Sequence, residues 1–206
     1  APSTPGKAFY SDTNYQLLGA LIEAVTGGSF ETALQERIIG PLGLAGTYPF
    51  TLDTLQRYRE VAPMLYGREP VVIPKAMASV RADGGIVSTA KDGIAFLEAF
   101  MTGRLFPAAY LEEMQRQWHR IFMPLEYGVG IMRFALPRLF SPFRPIPPMV
   151  GHSGASGAVL YYVPKHDLYI SGTVNQIKNR SLSYNLMARL VMACAAGWGG
   201  ERWSPP

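Results

Sequence analysis

Apolar positions first recur at helical spacing just after a polar quartet, Ser11-Asp12-Thr13-Asn14. Leu17, Leu18, Leu21, Ile22 and Val25 fall on one face of the helix this spacing predicts, and Gly27-Gly28 stops it. Every member of the quartet is a good N-cap, so Asp12 has a purely structural reading as the cap of this helix. A second helix follows at once. Ser29 caps it, Phe30, Ala33, Leu34 and Ile38 form its buried stripe, and Gly40-Pro41 ends it, which makes the pair a helical hairpin.

Periodicity weakens after Pro41-Leu42-Gly43-Leu44, and Val61 to Tyr66 reads at best as an edge strand because Pro63 cannot donate to a ladder. Asp83-Gly84-Gly85 reads as a turn, followed by two short buried residues, Ile86-Val87. Thr89-Ala90-Lys91-Asp92 matches a capping box for a helix whose apolar face is Ile94, Leu97, Phe100 and Met101, with Gly103 as terminator. A further helix starts at Pro107 and runs to about Trp118, since proline suits a first helical position.

From Leu125 to Phe134 the pattern predicts one strand, with Gly128 and Gly130 marking close backbone approach. Pro137, Pro142, Pro145, Pro147 and Pro148 stiffen the loop that follows. Its Leu139, Phe140 and Phe143 either rim a cleft or partner surface, or tuck onto the sheet. The segment Ala158 to Val163 then pairs with Leu168 to Val174 through Pro164-Lys165-His166-Asp167, and strands joined so closely are antiparallel. Ser181 caps a last helix carrying Leu182, Leu186, Leu190 and Val191. There is no internal repeat and no linker, so residues 1–206 read as a single domain.

Composition narrows the function. With 206 residues, 48% of them apolar, the chain can build one sizeable core, and 17% charged residues argue against disorder. A net charge of +4 from scattered residues offers no basic block for nucleic acid. Cys194 is the only cysteine, which rules out an intrachain disulfide and a cysteine-built metal site, and His119, His152 and His166 have no close metal-ligand spacing. No apolar run is long enough for a membrane helix, and Ala1 to Lys7 has no signal-peptide core. Either the chain is soluble as it stands or a targeting segment lay upstream.

Candidate chemistry gathers at Gly151-His152-Ser153-Gly154-Ala155-Ser156-Gly157. Glycines at the start of a strand let another backbone or a ligand come close, and bare N–H groups beside them can donate to an anion. His152 and Ser153 are the polar side chains with chemistry to offer there. The competing reading is a tight hairpin entry with His152 a satisfied core or rim histidine.

Four stretches in order resemble the serine β-lactamase and penicillin-binding-protein superfamily, closest to the class C branch with its esterases and D-aminopeptidases. They are Phe9-Tyr10-Ser11-Asp12-Thr13-Asn14-Tyr15-Gln16-Leu17-Leu18-Gly19, Pro41-Leu42-Gly43-Leu44, Gly84-Gly85-Ile86-Val87-Ser88-Thr89-Ala90-Lys91-Asp92 and Gly151-His152-Ser153-Gly154. The resemblance implies an α+β fold of the β-lactamase/transpeptidase type, helices packed on an antiparallel sheet, incomplete at the N-terminus. It also implies acyl transfer, in which a serine of an S-x-x-K motif attacks a carbonyl while a lysine and a tyrosine handle protons. By carry-over Tyr10 is the proton shuttle, Asp12 stands at the third position of its motif, His152, Ser153 and Gly154 face the substrate, and the Ala155 N–H is an oxyanion donor. The resemblance further implies small ester, amide or β-lactam substrates, no cofactor or metal, and a parent protein in the periplasm or outside the cell.

Two departures from the pattern carry expectations. Asp12 replaces the usual asparagine, and its charge beside Tyr10 disfavours a phenolate, so Tyr10 is expected to act as a neutral relay. Ser11-Asp12-Thr13 can also be aligned with the S-D-N motif of other branches. The nucleophile motif should lie well before the tyrosine, yet nine residues precede Tyr10. The one S-x-x-K string, Ser88 to Lys91, sits in the capping box and is assigned a structural role. The chain is therefore expected to be the C-terminal portion of a serine hydrolase, inactive alone, with an exposed apolar face that invites self-association. The alternative is a non-catalytic ligand-binding or scaffold relative. Histidine in place of the family's lysine at position 152 suggests a substrate without a required carboxylate, such as an ester.

Overall fold

The computed structural model describes residues 9–137, 139, 145–179 and 181–197. It is an α+β arrangement built on a six-stranded antiparallel sheet whose strands lie side by side in reverse chain order, the last of them at one edge. In chain order these strands are β5 His119–Phe122, β6 Leu125–Tyr127, β7 Met132–Phe134, β8 Met149–Ser153, β9 Ala158–Val163 and β10 Leu168–Thr173. Two small ladders lie apart from it, β1 Tyr48–Pro49 with β4 Ile86–Val87, and β2 Met64–Tyr66 with β3 Glu69–Val71. Pro63 stands just before β2, outside the ladder its missing N–H could not join, and Leu65 on the other side of β2 bridges to Gln176.

The core lies on one face of the sheet. Leu125, Met132, Phe134, Met149, Val159, Tyr161 and Val163 pack against Met187 and Val191 of the last helix, α7 Ser181–Gly197. Ser181 is the first residue of that helix, and its hydroxyl donates to Asn179 Oδ1 at 2.9 Å. On the other face α5 Ala90–Met101 lies over β9 and β10. Its Gly93 sits so close to the sheet that an added Cβ would come within 2.4 Å of Ser171 Oγ. Thr89 Oγ1 accepts from the Asp92 N–H at 3.1 Å, but the Asp92 carboxylate turns away to Gly46 N and Thr47 Oγ1, both at 2.8 Å. The expected capping box is therefore half a box, and its acid ties α5 to the neighbouring loop.

Several elements differ from the sequence pattern. Leu125 to Phe134 is two strands rather than one. Gly130, at φ +70°, helps fold the chain back so that Leu125 pairs with Phe134 and Tyr127 with Met132. The stretch before them also adds a strand, β5, where the pattern predicts the end of a helix, and α6 Ala108–Gln115 stops earlier.

The second helix passes through Pro41. It runs as α2 Phe30–Leu34, a π turn Gln35–Ile39 and α3 Gly40–Leu42, and ends at Gly43 with φ +64°. A proline in the first turn after the π segment lacks only an N–H that the widened turn leaves free. The π turn shifts the inward face by one residue, so Ile39 is buried where Ile38 was expected.

Apolar faces of two helices stay open. On α1 Asp12–Thr26, Leu17, Leu18, Leu21 and Val25 are all exposed, Val25 at 78%. On α7 the row Leu182, Leu186 and Leu190 is about half exposed. Leu139 in the proline-rich loop is exposed as well, whereas Phe140, Pro142 and Phe143 lie outside the described residues.

Candidate functional site

Tyr10 lies in the extended residues just before α1, and His152 is the fourth residue of β8. The fold brings them together, with ring centroids 6.2 Å apart. Helix α1 is held against the 3₁₀ turn Arg81–Asp83, where Gly19 lets the Ala82 methyl approach. Arg81 binds Glu31 through Nε at 2.9 Å and Glu23 through an Nη at 2.6 Å, joining that turn to both helices of the hairpin. These contacts anchor α1 to the Arg81–Asp83 turn and to the second helix of the hairpin.

Two further tyrosines complete the cluster. Tyr15, on the first turns of α1, and Tyr127, the last residue of β6, stand 6.5 and 5.7 Å from the His152 ring between centroids. Tyr127 OH lies 2.9 Å from His152 Nε2 and is also hydrogen-bonded to Tyr15 OH. His152 Nδ1 lies 3.1 Å from the Ser153 carbonyl oxygen, which can only accept. The neutral imidazole therefore carries its proton on Nδ1, and Nε2 accepts from Tyr127. A phenol has one proton to give, so Tyr15 donates to the Tyr127 oxygen.

The electrostatics favour neutral groups throughout. Burial lowers the His152 pKa from its ordinary 6.5, so the ring is uncharged at neutral pH. Burial raises Tyr127 and Tyr15. Tyr10 is pushed up to about 12, first by burial, then by Tyr15 and by the charges of Asp12 and Asp83, with a hydrogen bond to Asp12 adding to the rise. An Asp83 carboxylate oxygen is buried with no hydrogen-bond partner among the described residues.

Ser153 goes elsewhere. The register pairs His152 with Leu160 and Ser153 with Val159, so successive side chains leave opposite faces of the strand. Ser153 Oγ meets Tyr184 OH of α7 at 2.5 Å and lies 3.4 Å from Met132 Sδ. Gly154 N donates to Ala158 O at 2.9 Å and Gly157 N to Gly154 O at 3.0 Å, closing the turn between β8 and β9. Ala155 sits exposed at the tip of that turn. Asp12 is exposed as the first residue of α1, and Ser11 is its N-cap without a side-chain cap bond.

Ser88 belongs to another part of the molecule. Its hydroxyl is 2.7 Å from Thr47 Oγ1, which in turn donates to Asp92, and both Ser88 and Lys91 are exposed. Two shallow grooves also lie apart from the cluster. One of about 370 Å³ runs between Glu31 and Thr54, and one of about 420 Å³ is lined by Pro145 to Pro148, Pro164 and Lys165. Tyr15, Tyr127 and Tyr184 carry no site signal of their own in the sequence. Tyr15 stands within the helix start as an ordinary aromatic, and Tyr127 signals itself only by preceding Gly128-Val129-Gly130.

The β-lactamase family model matches residues 1–191. The chain belongs to the β-lactamase family. Among curated proteins it is 27% identical over 173 residues to penicillin-binding protein 4 of Amycolatopsis lactamdurans, an alignment that takes in 75% of this chain and 42% of that protein. Among solved structures, the D-amino acid amidase of Ochrobactrum anthropi SV3 superposes with a TM-score of 0.75 at 21% identity, over 95% of this chain and 60% of the amidase. A D-stereospecific amidohydrolase from a Streptomyces species gives 0.68 at 23%, over 95% and 56%. The chain thus spans between two fifths and three fifths of the length of these relatives. Together they place it in the serine β-lactamase and penicillin-binding-protein superfamily, with the matching α+β fold.

Proposed function

We propose that this β-lactamase-family chain forms the proton-handling and substrate-facing wall of a serine hydrolase working through an acyl-enzyme, the nucleophilic serine and its lysine coming from outside residues 1–206. The convergence of Tyr10 with His152, far apart in the sequence, carries the reading. Three further observations support it. Ser88 is engaged with Thr47, the chain spans three fifths or less of its relatives, and the apolar face of α1 is uncovered.

In the proposed reaction the serine oxygen bonds to the acyl carbon as the lysine takes its proton. The tetrahedral species collapses, and the leaving amine or alcohol gains a proton through Tyr10. Water then bonds to the acyl carbon, its proton passes through the same groups to the serine oxygen as the serine–acyl bond breaks, and the carboxylic acid product leaves. Tyr10 passes one proton on while receiving another, a neutral relay in keeping with its raised pKa. Uncharged His152 offers no fixed cation for a substrate carboxylate, so esters and amides without one are the favoured substrates. The Ala155 N–H, at the open end of β8, is the proposed oxyanion donor.

The isolated chain should hydrolyse a chromogenic β-lactam or a short p-nitrophenyl ester no faster than buffer. Fusion to the upstream sequence of its own reading frame should restore turnover, and Tyr10→Phe in that protein should cost on the order of 100-fold in kcat. Rapid turnover by residues 1–206 alone would overturn the proposal. A fused protein in which no serine reacts with a fluorophosphonate would favour a non-catalytic ligand-binding or scaffold role.

A further inference from the structure

The hydrogen bonds of the aromatic cluster run in one direction. Ser153 contributes a carbonyl, which only accepts, so Nδ1 of His152 must donate to it across 3.1 Å. Nε2 is then a lone pair, and the hydroxyl 2.9 Å away belongs to Tyr127. Tyr15 fills the remaining acceptor capacity of the Tyr127 oxygen. Ring packing keeps this order. The Tyr127 and His152 rings meet edge to face at 90°, and Tyr10 packs on Tyr127 at 5.6 Å between centroids. A free imidazole would exchange its proton between the two nitrogens. Here both nitrogens are occupied from fixed points, one on β8 itself and one on β6.

We infer that Tyr127 is a positioning residue for His152: backed by Tyr15, it locks the imidazole in the Nδ1–H tautomer with Nε2 as an acceptor, so that the ring offers no N–H towards a substrate. The importance of His152 rests on the function proposed above, but the hydrogen-bond order does not. Polar contacts to a ligand at this wall then come from Tyr10 and the backbone of the β8–β9 turn, the single protons of Tyr15 and Tyr127 being committed within the cluster. This separates His152 from a lysine at the same strand position, which can only donate.

Long-range proton–nitrogen correlation spectra of the full chain, labelled with ¹⁵N-histidine and recorded at pH 8, test the inference directly. Loss of signals in His152→Gln assigns the His152 resonances among those of the three histidines. The unaltered chain should show His152 with Nδ1 protonated and Nε2 bare. Tyr127→Phe keeps the ring and removes the donor, and should shift the tautomer ratio towards Nε2–H on the order of tenfold, the worth of one hydrogen bond. Tyr15→Phe should move it in the same direction by less. A His152 that is Nε2–H in the unaltered chain overturns the inference, a measurement needing no variant to fold. A Tyr127→Phe spectrum unchanged from the parent overturns it equally. Neither result depends on turnover, so failure of the hydrolase assay and failure of this inference are separate outcomes.

Discussion

Gly151 lies against the backbone of Leu160 so closely that a Cβ built on it would stand 1.9 Å from the Leu160 carbonyl oxygen and 2.7 Å from the Tyr161 Cα. The atoms it would strike are main-chain atoms of the paired strand, which cannot rotate away. Gly151→Ala should therefore part β8 from β9 next to His152. The expected loss is about 1–3 kcal/mol, the usual cost of overpacking, read as a lower urea midpoint. The His152 resonances should move in the same variant. An unchanged midpoint would show that the two strands are less tightly apposed than described.

Gly19 presents the same geometry between helix and turn, its Cβ position lying 2.6 Å from the Ala82 methyl. Alanine is favoured over glycine inside a helix by about 1 kcal/mol, so an unhindered Gly19→Ala would stabilise α1. We expect net destabilisation instead, because neither methyl can move without its backbone. Ala82→Gly in the same chain should recover the loss, and a double-mutant cycle of urea midpoints measures the coupling. Additive effects would count against the contact.

Arg81 combines a clamp with strain. Its φ of 45° and ψ of −111° place an L-residue where glycine is the usual occupant, and its guanidinium bridges Glu23 and Glu31. Arg81→Ala loses the ion pairs and keeps the strain, whereas Arg81→Gly loses the pairs and sheds it. The glycine variant should be more stable than the alanine variant by about 1 kcal/mol or more in thermal unfolding. The opposite order would mean the backbone is relaxed there.

Acid should weaken the fold in two separable windows. His152 has a folded pKa below 6.5, so the unfolded chain binds the proton first, and stability falls as pH drops from about 6.5 towards the lowered value. Glu23 and Glu31 are held below their ordinary 4.5, led in each case by a hydrogen bond from Arg81. Their contribution is present above about 4.5 and is lost as pH falls through their lowered values. Urea midpoints between pH 8 and about pH 2 should decline in both windows. His152→Gln should flatten only the upper one, and Arg81→Ala only the lower.

What the sequence made legible was mostly local. Stripes and stops gave α1, α5 and the β9–β10 hairpin, because spacing, a cap and a turn suffice to set them. The faces were harder. Leu17, Leu18 and Leu21 share a side of α1 as expected but lie open, since periodicity tells which residues face together and not what they face. The β6–β7 hairpin was hidden because Gly128 and Gly130 mark a turn and a close approach equally well. A Cβ on Gly128 would in fact lie 2.3 Å from the Met114 carbonyl oxygen.

At the candidate site Tyr10 and His152 stood out through motifs, whereas Tyr15, Tyr127 and Tyr184 could be recognised only once strands and helices had been assembled. Ser153 shows the same limit. Adjacency in sequence suggested a shared role with His152, and strand alternation sends its hydroxyl to α7.

The widened turn at Gln35–Ile39 leaves a mark on how this helix tolerates a change of length. A π segment stores one extra residue without rotating what lies on either side of it. Excising Glu36 should then relax the segment to ordinary winding, with Ile39 still pointing inward and Gly43 still ending the helix. Deleting a residue from the regular winding of α1 would instead swing every later side chain by about 100°.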